Sequence, residues 1–280
     1  MWLRQIIYDA GHGIYHNRNR YLPAIVFFLT FNFICYYQIN LMRQLGYITQ
    51  RTGFFEYLMY YTEGMRVYVP SETPFRIPFA WLSVYILNAW VIGDYVQSDL
   101  YGFGMQMLVR YQKRIRWAIG KLGYILISVL TVWGTVFLSC GLFDIITAKG
   151  HFSLSKEIWA MFYGIHAEQF SNLEIVLGVF VLPILTSAVL SVFQVLLSFM
   201  TKPSYGFLAT TVYLIFSAYW KSYFLIGNYA MFLRNAKLCE NGIEQNTALI
   251  VLSILLIVGA SLFFVLFRRY DILERTGVSS

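Results

Sequence analysis

The sequence predicts an all-α, polytopic membrane protein. Six transmembrane helices follow an N-terminal interfacial helix, and a cytoplasmic helical segment joins the second and third crossings. Three observations carry this. Of 280 residues, 58% are hydrophobic and 12% are charged, against about 25% charged in an ordinary soluble domain. Six runs without a charge, each 17 to 27 residues long, punctuate the chain, and a helix needs roughly 20 apolar residues to cross the hydrocarbon core. Charges such as Asp94, Asp144, Glu174 and Lys221 stand at the edges of these runs, where they escape the cost of about 2.5–3.5 kcal/mol for a mid-span charge. The runs are apolar all round, which excludes the alternation of a barrel strand.

Residues 1–16 (MWLRQIIYDAGHGIYH) place Trp2, Leu3, Ile6, Ile7 and Ala10 on one helical face. A helix lying in the membrane interface is expected, rather than a frayed tail. Asp9, Arg18 and Arg20 precede the first apolar run, so no cleaved secretory signal is expected. The crossings are read at about 21–42, 77–95, 122–145, 175–201, 203–222 and 245–267. Pro183 predicts a kink in the fourth.

Residues 43–76 form a long outer loop, with a short surface helix expected over 54–65. Its tyrosines read as interfacial anchors or as a surface for an apolar ligand. In the second outer loop, 154–170 looks helical, with Ser153 or Ser155 as N-cap. His151, His166, Glu157 and Glu168 lie there without metal-ligand spacing, so no metal site is expected. The connection around Lys202-Pro203 is so short that the helices it joins must be antiparallel neighbours. The stretch GNYAMFLRN after the fifth crossing is apolar enough to dip back as a re-entrant helix.

Lys and Arg favour the cytoplasmic side. Arg110, Lys113, Arg114, Arg116 and Lys121 cluster between crossings two and three. With that loop inside, both termini are cytoplasmic. The inner side then carries 12 basic and five acidic residues, and the outer side nine of each. The net charge of +7 therefore faces anionic membrane lipids, not nucleic acid.

Catalytic patterns are absent. There is no GxxxxGK[ST] loop, because Ile115 stands where Gly120-Lys121 would need a glycine. No HExxH or GxSxG occurs, so no catalytic residue is assigned. No crossing has a central ionisable residue, which argues against a proton- or sodium-coupled carrier. Cys35, Cys140 and Cys239 give an odd count without short spacing.

Segment 97–117 reads as an amphipathic helix on the cytoplasmic surface. Asp99 near its start and Arg110 to Arg116 near its end complement a helix dipole. Gly102 and Gly104 permit close approach to another backbone. The order of elements, together with Gly-x-Gly-Met-Gln…Arg…Arg…Trp…Lys, resembles the permease subunit of type-2 ABC transporters, especially small permeases of Gram-positive bacteria. The resemblance implies that 97–117 is a coupling helix. Asp99, Gly102, Gly104, Met105, Gln106 and Arg110 would dock on a separate cytoplasmic ATP-binding subunit. Arg114, Trp117 and Lys121 would anchor the segment at the membrane. ATP and Mg would sit on that partner, with no cofactor in this chain. A second copy or a homologous permease would complete a dimer in the cell membrane. Asn32, Asn88, Tyr213 and Ser217 would line the path of an amphipathic peptide, lipid or hydrophobic drug, or else bond helix to helix. The competing expectation is a non-ABC oligomeric channel or scaffold.

Overall fold

A computed structural model describes residues 2–69, 76–101, 114–150 and 152–269. Ten helices account for most of them: α1 (Trp2–His16), α2 (Arg18–Gln44), α3 (Phe54–Thr62), α4 (Phe79–Ile92), α5 (Tyr95–Tyr101), α6 (Arg114–Ala148), α7 (Lys156–Met161), α8 (Asn172–Met200), α9 (Pro203–Tyr219) and α10 (Gln245–Arg269). The described residues contain no strand, only an isolated bridge between Asn235 and Ile243.

Five helical stretches are long and apolar enough to cross a membrane: Arg18–Gln44, Phe79–Asp99, Trp117–Ala148, Asn172–Met200 and Gln245–Arg268. The sixth expected crossing is α9. It ends at Tyr219 rather than at residue 222, and its 17 residues span about 25 Å at 1.5 Å per residue.

The pattern of burial follows from an apolar solvent. On α2, Tyr21, Ala24, Phe28, Asn32, Cys35 and Ile39 are buried, a stripe stepping by three and four residues. Leu22, Val26, Phe33 and Tyr37 on other faces are apolar yet exposed. Such a helix hides its polar atoms among neighbours and offers hydrocarbon to lipid. Helix α8 is the central post and packs on α4, α6, α9 and α10. Across its most apolar window 67% of residues are buried, against 17% for α10, which therefore stands at the periphery.

Contacts to α8 are polar as well as apolar. Trp133 Nε1 donates to Ser187 Oγ at 2.9 Å, Asn88 Nδ2 to Ser191 Oγ at 2.9 Å, and Gln194 Nε2 to the Ala89 carbonyl at 2.9 Å. Each such bond stabilises a membrane bundle by about 0.6 kcal/mol. Gly206 lets α9 approach closely, since a Cβ there would lie 2.2 Å from Ser198 Oγ.

Pro183 has neither a donor N–H nor room for the carbonyl four residues back. The helix absorbs this with a π turn over Leu177–Val181, where the Leu182 amide bonds the Leu177 carbonyl. The expected kink is thus a wide turn within a continuous helix.

Two loop expectations are corrected. The helix expected at the surface over 54–65 is α3, and it lies inside the bundle against α2, α4 and α6. Tyr57, Leu58, Met59 and Tyr61 are fully buried. Aromatic and aliphatic residues around the whole helix exclude a solvated face. The second loop is helical only over Lys156–Met161, capped by Ser155, whose Oγ accepts from the Ile158 amide. Gly164, at φ +65°, breaks the chain before a 3-10 turn at Ala167–Gln169.

Candidate functional site

The end of the second apolar stretch, the start of the third and the N-terminal helix meet at one buried cation. Helix α1 packs along the first turns of α6. Two glycines permit it. A Cβ on Gly13 would lie 2.3 Å from the Tyr124 ring, and one on Gly120 2.1 Å from Asp9 Oδ2. Asp9 thereby reaches Lys121, whose side chain is fully buried. Lys121 Nζ lies 3.0 Å from Asp9 Oδ1 and 2.8 Å from Asp99 Oδ2. It also donates to the Tyr95 hydroxyl at 3.3 Å and sits 4.5 Å above the Tyr95 ring. Trp117 Nε1 donates to the same Asp99 oxygen at 3.1 Å. The Trp117 ring stacks on Phe267 of α10 at 4.4 Å.

The cluster carries two carboxylates for one ammonium. Burial raises the Asp9 carboxyl above its ordinary value, Lys121 opposes that rise, and the nearby Asp99 adds to it. The cluster is held together by the lysine, since removing it leaves like charges in a poorly solvated place.

These positions revise the anchoring expectation. Lys121 and Trp117 are buried within the bundle. The Asp99 carboxylate also turns inward, to Lys121 and Trp117, so it positions the segment it begins. Gly102, Gly104, Met105, Gln106 and Arg110 lie outside the described residues, as does the side chain of Arg114. A second ion pair, Arg20 to Asp94 at 2.8 Å, ties α2 to the turn between α4 and α5. Arg20 also donates to the Trp90 carbonyl at 2.9 Å.

The four expected path residues fall into three places. Asn32 is buried and engaged, donating to Ser139 Oγ at 3.1 Å and accepting from the Tyr61 hydroxyl at 3.0 Å. Asn88 bonds Ser191 on α8. Tyr213 and Ser217 are one turn apart on α9. The Tyr213 hydroxyl donates to the Phe224 carbonyl at 2.6 Å and accepts from the Ile226 amide at 2.7 Å. Ser217 Oγ bonds the Tyr213 carbonyl within its own helix. All four have partners within the bundle, the interhelical or local bonding that the sequence reading left open.

At the far end of α9 lies a second buried cation, Arg234. Its guanidinium donates to the carbonyls of Ser217 (2.5 Å), Ala218 (2.6 Å), Trp220 (3.1 Å) and Met65 (3.3 Å). It therefore caps the negative end of a helix dipole. Burial brings its pKa down to about 10. The surrounding stretch is not a re-entrant α-helix but two 3-10 turns, Ile226–Ala230 and Phe232–Arg234. Asn228 pins the first by donating to the Trp220 and Ser222 carbonyls.

Buried Glu56 on α3 and half-buried Glu63 just after it add two carboxyls at this end. Glu56 accepts from the amides of Gly53 (2.7 Å) and Ser155 (2.8 Å), joining the two long loops. Burial pushes its pKa up to about 7, and that of Glu63 up to about 8. Both folded values exceed the ordinary 4.5. The stability these groups contribute is therefore complete below that value and lost as pH rises through 7 and 8. The thermal midpoint in detergent is expected to be highest near pH 5 and to fall toward pH 9. Glu63→Gln should flatten the upper part of that fall. A midpoint that is flat from pH 5 to pH 9 would contradict the assignment.

Residues 39–273 match the model of a family described as "Protein of unknown function (DUF2705)". The chain belongs to the DUF2705 family. No curated protein and no solved structure matches it. The DUF2705 match takes in Asp99, Lys121, Glu63 and Arg234, whereas Asp9 and all of α1 precede it. In this DUF2705 protein the sequence reading missed Asp9 and Arg234. One signal was available for Asp9: Gly120 directly before Lys121, read only as an incomplete phosphate loop, is the gap through which that carboxylate enters.

Proposed function

We propose that this chain is the permease subunit of an ATP-driven exporter. It crosses the cell membrane six times with both termini on the cytoplasmic side and pairs with a second permease. A separate cytoplasmic subunit binds ATP and Mg. The cargo class is an amphipathic peptide, a lipid or a hydrophobic drug. One observation carries the reading: the two ends of segment 97–117 are fastened to each other. Asp99 near its start bonds Trp117 at its end and Lys121 one turn further along α6, and Asp9 brings α1 into the same cluster. With these contacts fastening the second crossing to the third, a push from a docked ATPase passes into both together. The resemblance of the glycine-rich loop to a coupling helix supplies the partner.

Mild-detergent purification of the tagged chain from its own membranes, followed by mass spectrometry, tests this. A near-stoichiometric protein carrying a phosphate loop is the expected result. A clean homo-oligomer, reproducible in several detergents, would instead favour a channel or scaffold. In the assembled complex, Gly104→Trp or the pair Arg110→Glu and Arg114→Glu should leave membrane insertion intact and abolish cargo-dependent ATPase stimulation. Unaltered stimulation in both variants would remove 97–117 from the coupling role.

A further inference from the structure

Glu63 stands just beyond the last residue of α3. Its amide donates to the Met59 carbonyl at 2.7 Å, and its own carbonyl accepts from the Leu233 amide at 3.0 Å. Gly64 follows at φ +68°, a conformation that suits glycine and turns the chain away. The backbone is therefore fixed, and the carboxylate is held over a cavity of about 170 Å³ at the start of α4. Tyr60, Gly64, Ile77, Phe79 and Trp81 are among the other residues lining it.

Three other carboxylates at this end of the molecule have partners. Glu56 takes two backbone amides, Glu157 takes Thr49 and Gln50, and Glu174 takes Lys237 and Ser171. Among the described residues, none gives the Glu63 carboxylate a hydrogen bond or an ion pair. Of the nearby cations, Arg66 bonds the Gly164 carbonyl and Arg234 its four carbonyls, while Arg76, beside Ile77 at the cavity rim, is exposed. Glu63 is half-buried, and a carboxylate without a partner at the edge of an aromatic cavity is placed to take a cation.

The lining decides which cation. A Ca²⁺ or Mg²⁺ ion needs six or more oxygen ligands, and one carboxylate does not supply them. Aromatic ring faces attract cations through their quadrupole, best when the cation carries little hydration, as alkylammonium ions do. The volume lies below the roughly 300–1,000 Å³ of drug-sized pockets, so a head group fits rather than a whole drug. We propose that this cavity binds an organic ammonium group, with its charge on Glu63 and its alkyl surface against Tyr60, Phe79 and Trp81. The site stands whether or not the chain is a permease.

The ammonium is either free or part of a lipid head group, and the test separates these sources. The probe is radiolabelled tetramethylammonium, measured by equilibrium dialysis on the full chain in phosphatidylglycerol nanodiscs. Saturable one-to-one binding that excess sodium does not displace is expected at pH 9. With the carboxyl titrating near pH 8, affinity should weaken about tenfold by pH 7. Tyr60 is the other titratable group lining the cavity, exposed Arg76 adjoins its rim beside Ile77, and Glu56 on α3 is tied to its two amides. Glu63→Gln should cost at least tenfold at pH 9, and Tyr60→Leu several-fold. Loss of probe binding in phosphatidylcholine nanodiscs would identify the lipid head group as occupant, and unchanged binding a soluble cation. Either outcome supports the site. No saturable binding to the wild-type chain at pH 9 overturns it, as does wild-type affinity in a folded Glu63→Gln variant. If that variant does not fold, equal affinity at pH 7 and pH 9 in the wild type overturns it too.

Discussion

Lys121→Met is expected to destabilise this protein more than any other single change at the junction of α1, α5 and α6. The substitution keeps the length of the side chain and deletes the charge. Asp9 and Asp99, with side chains 14% and 10% exposed, would then face each other without a cation. Breaking a buried ion pair from one side costs about 3–5 kcal/mol, and this lysine serves two carboxylates. The loss should appear as a lower thermal midpoint in detergent and as proteolysis near the α1–α2 junction. The triple variant Asp9→Asn, Lys121→Met, Asp99→Asn removes all three charges and should recover much of the stability, because neutral groups are cheaper to bury. If the single and triple variants melt together, the charges contribute nothing and packing alone holds α1. If Lys121→Met melts like the wild type, the ion-paired cluster is not the fastening described above.

The second large effect is expected at Arg234. Arg234→Leu fills some of the volume but leaves the carbonyls of Ser217, Ala218, Trp220 and Met65 without their donor. A hydrogen bond to a charged group contributes about 1.5–3 kcal/mol, and an orphaned buried acceptor costs a similar amount. Several bonds lost together should cost about 3 kcal/mol or more. Arg234→Lys keeps the charge and can reach one or two carbonyls, so an intermediate loss is expected. Amide hydrogen exchange reads this directly. The last turn of α9 and the 3-10 turn at Ile226–Ala230 should lose protection first, since the arginine joins them. Unchanged exchange in those amides after Arg234→Leu would show that the cap is dispensable.

How much of this was legible in the sequence depends on how local each feature is. The apolar runs gave every long helix, because a charge-free run of that length has few other solutions. The Ser155 cap and the disturbance at Pro183 were also readable, since each is decided within a few residues. The burial of α3 was not. Tyr57, Tyr60 and Tyr61 fit a membrane-surface belt as well as they fit a bundle interior, and only the contacts with α2, α4 and α6 decide between them. Lys121 read as one more inner-side cation because its partners lie elsewhere in the chain. Arg234 was hidden for the opposite reason: its partners are backbone carbonyls, which leave no trace in the sequence. The polar residues Asn32, Asn88, Tyr213 and Ser217 were singled out as path liners or helix-to-helix bonds. Their mutual distances, however, depend on helix packing, which residue type alone does not encode.

The pairing of Asp9 with Lys121 also sets an order of events during biosynthesis. The carboxylate is made 112 residues before its ammonium. At a synthesis rate of about 5–20 residues per second, that interval is roughly 5–25 seconds. Throughout it, α1 exists without the cation that fixes it, while α2, α3, α4 and α5 are completed. The N-terminal helix can therefore seat only after the start of α6 has left the ribosome. A segment made before α2 to α5 is thus among the later ones to reach its final position.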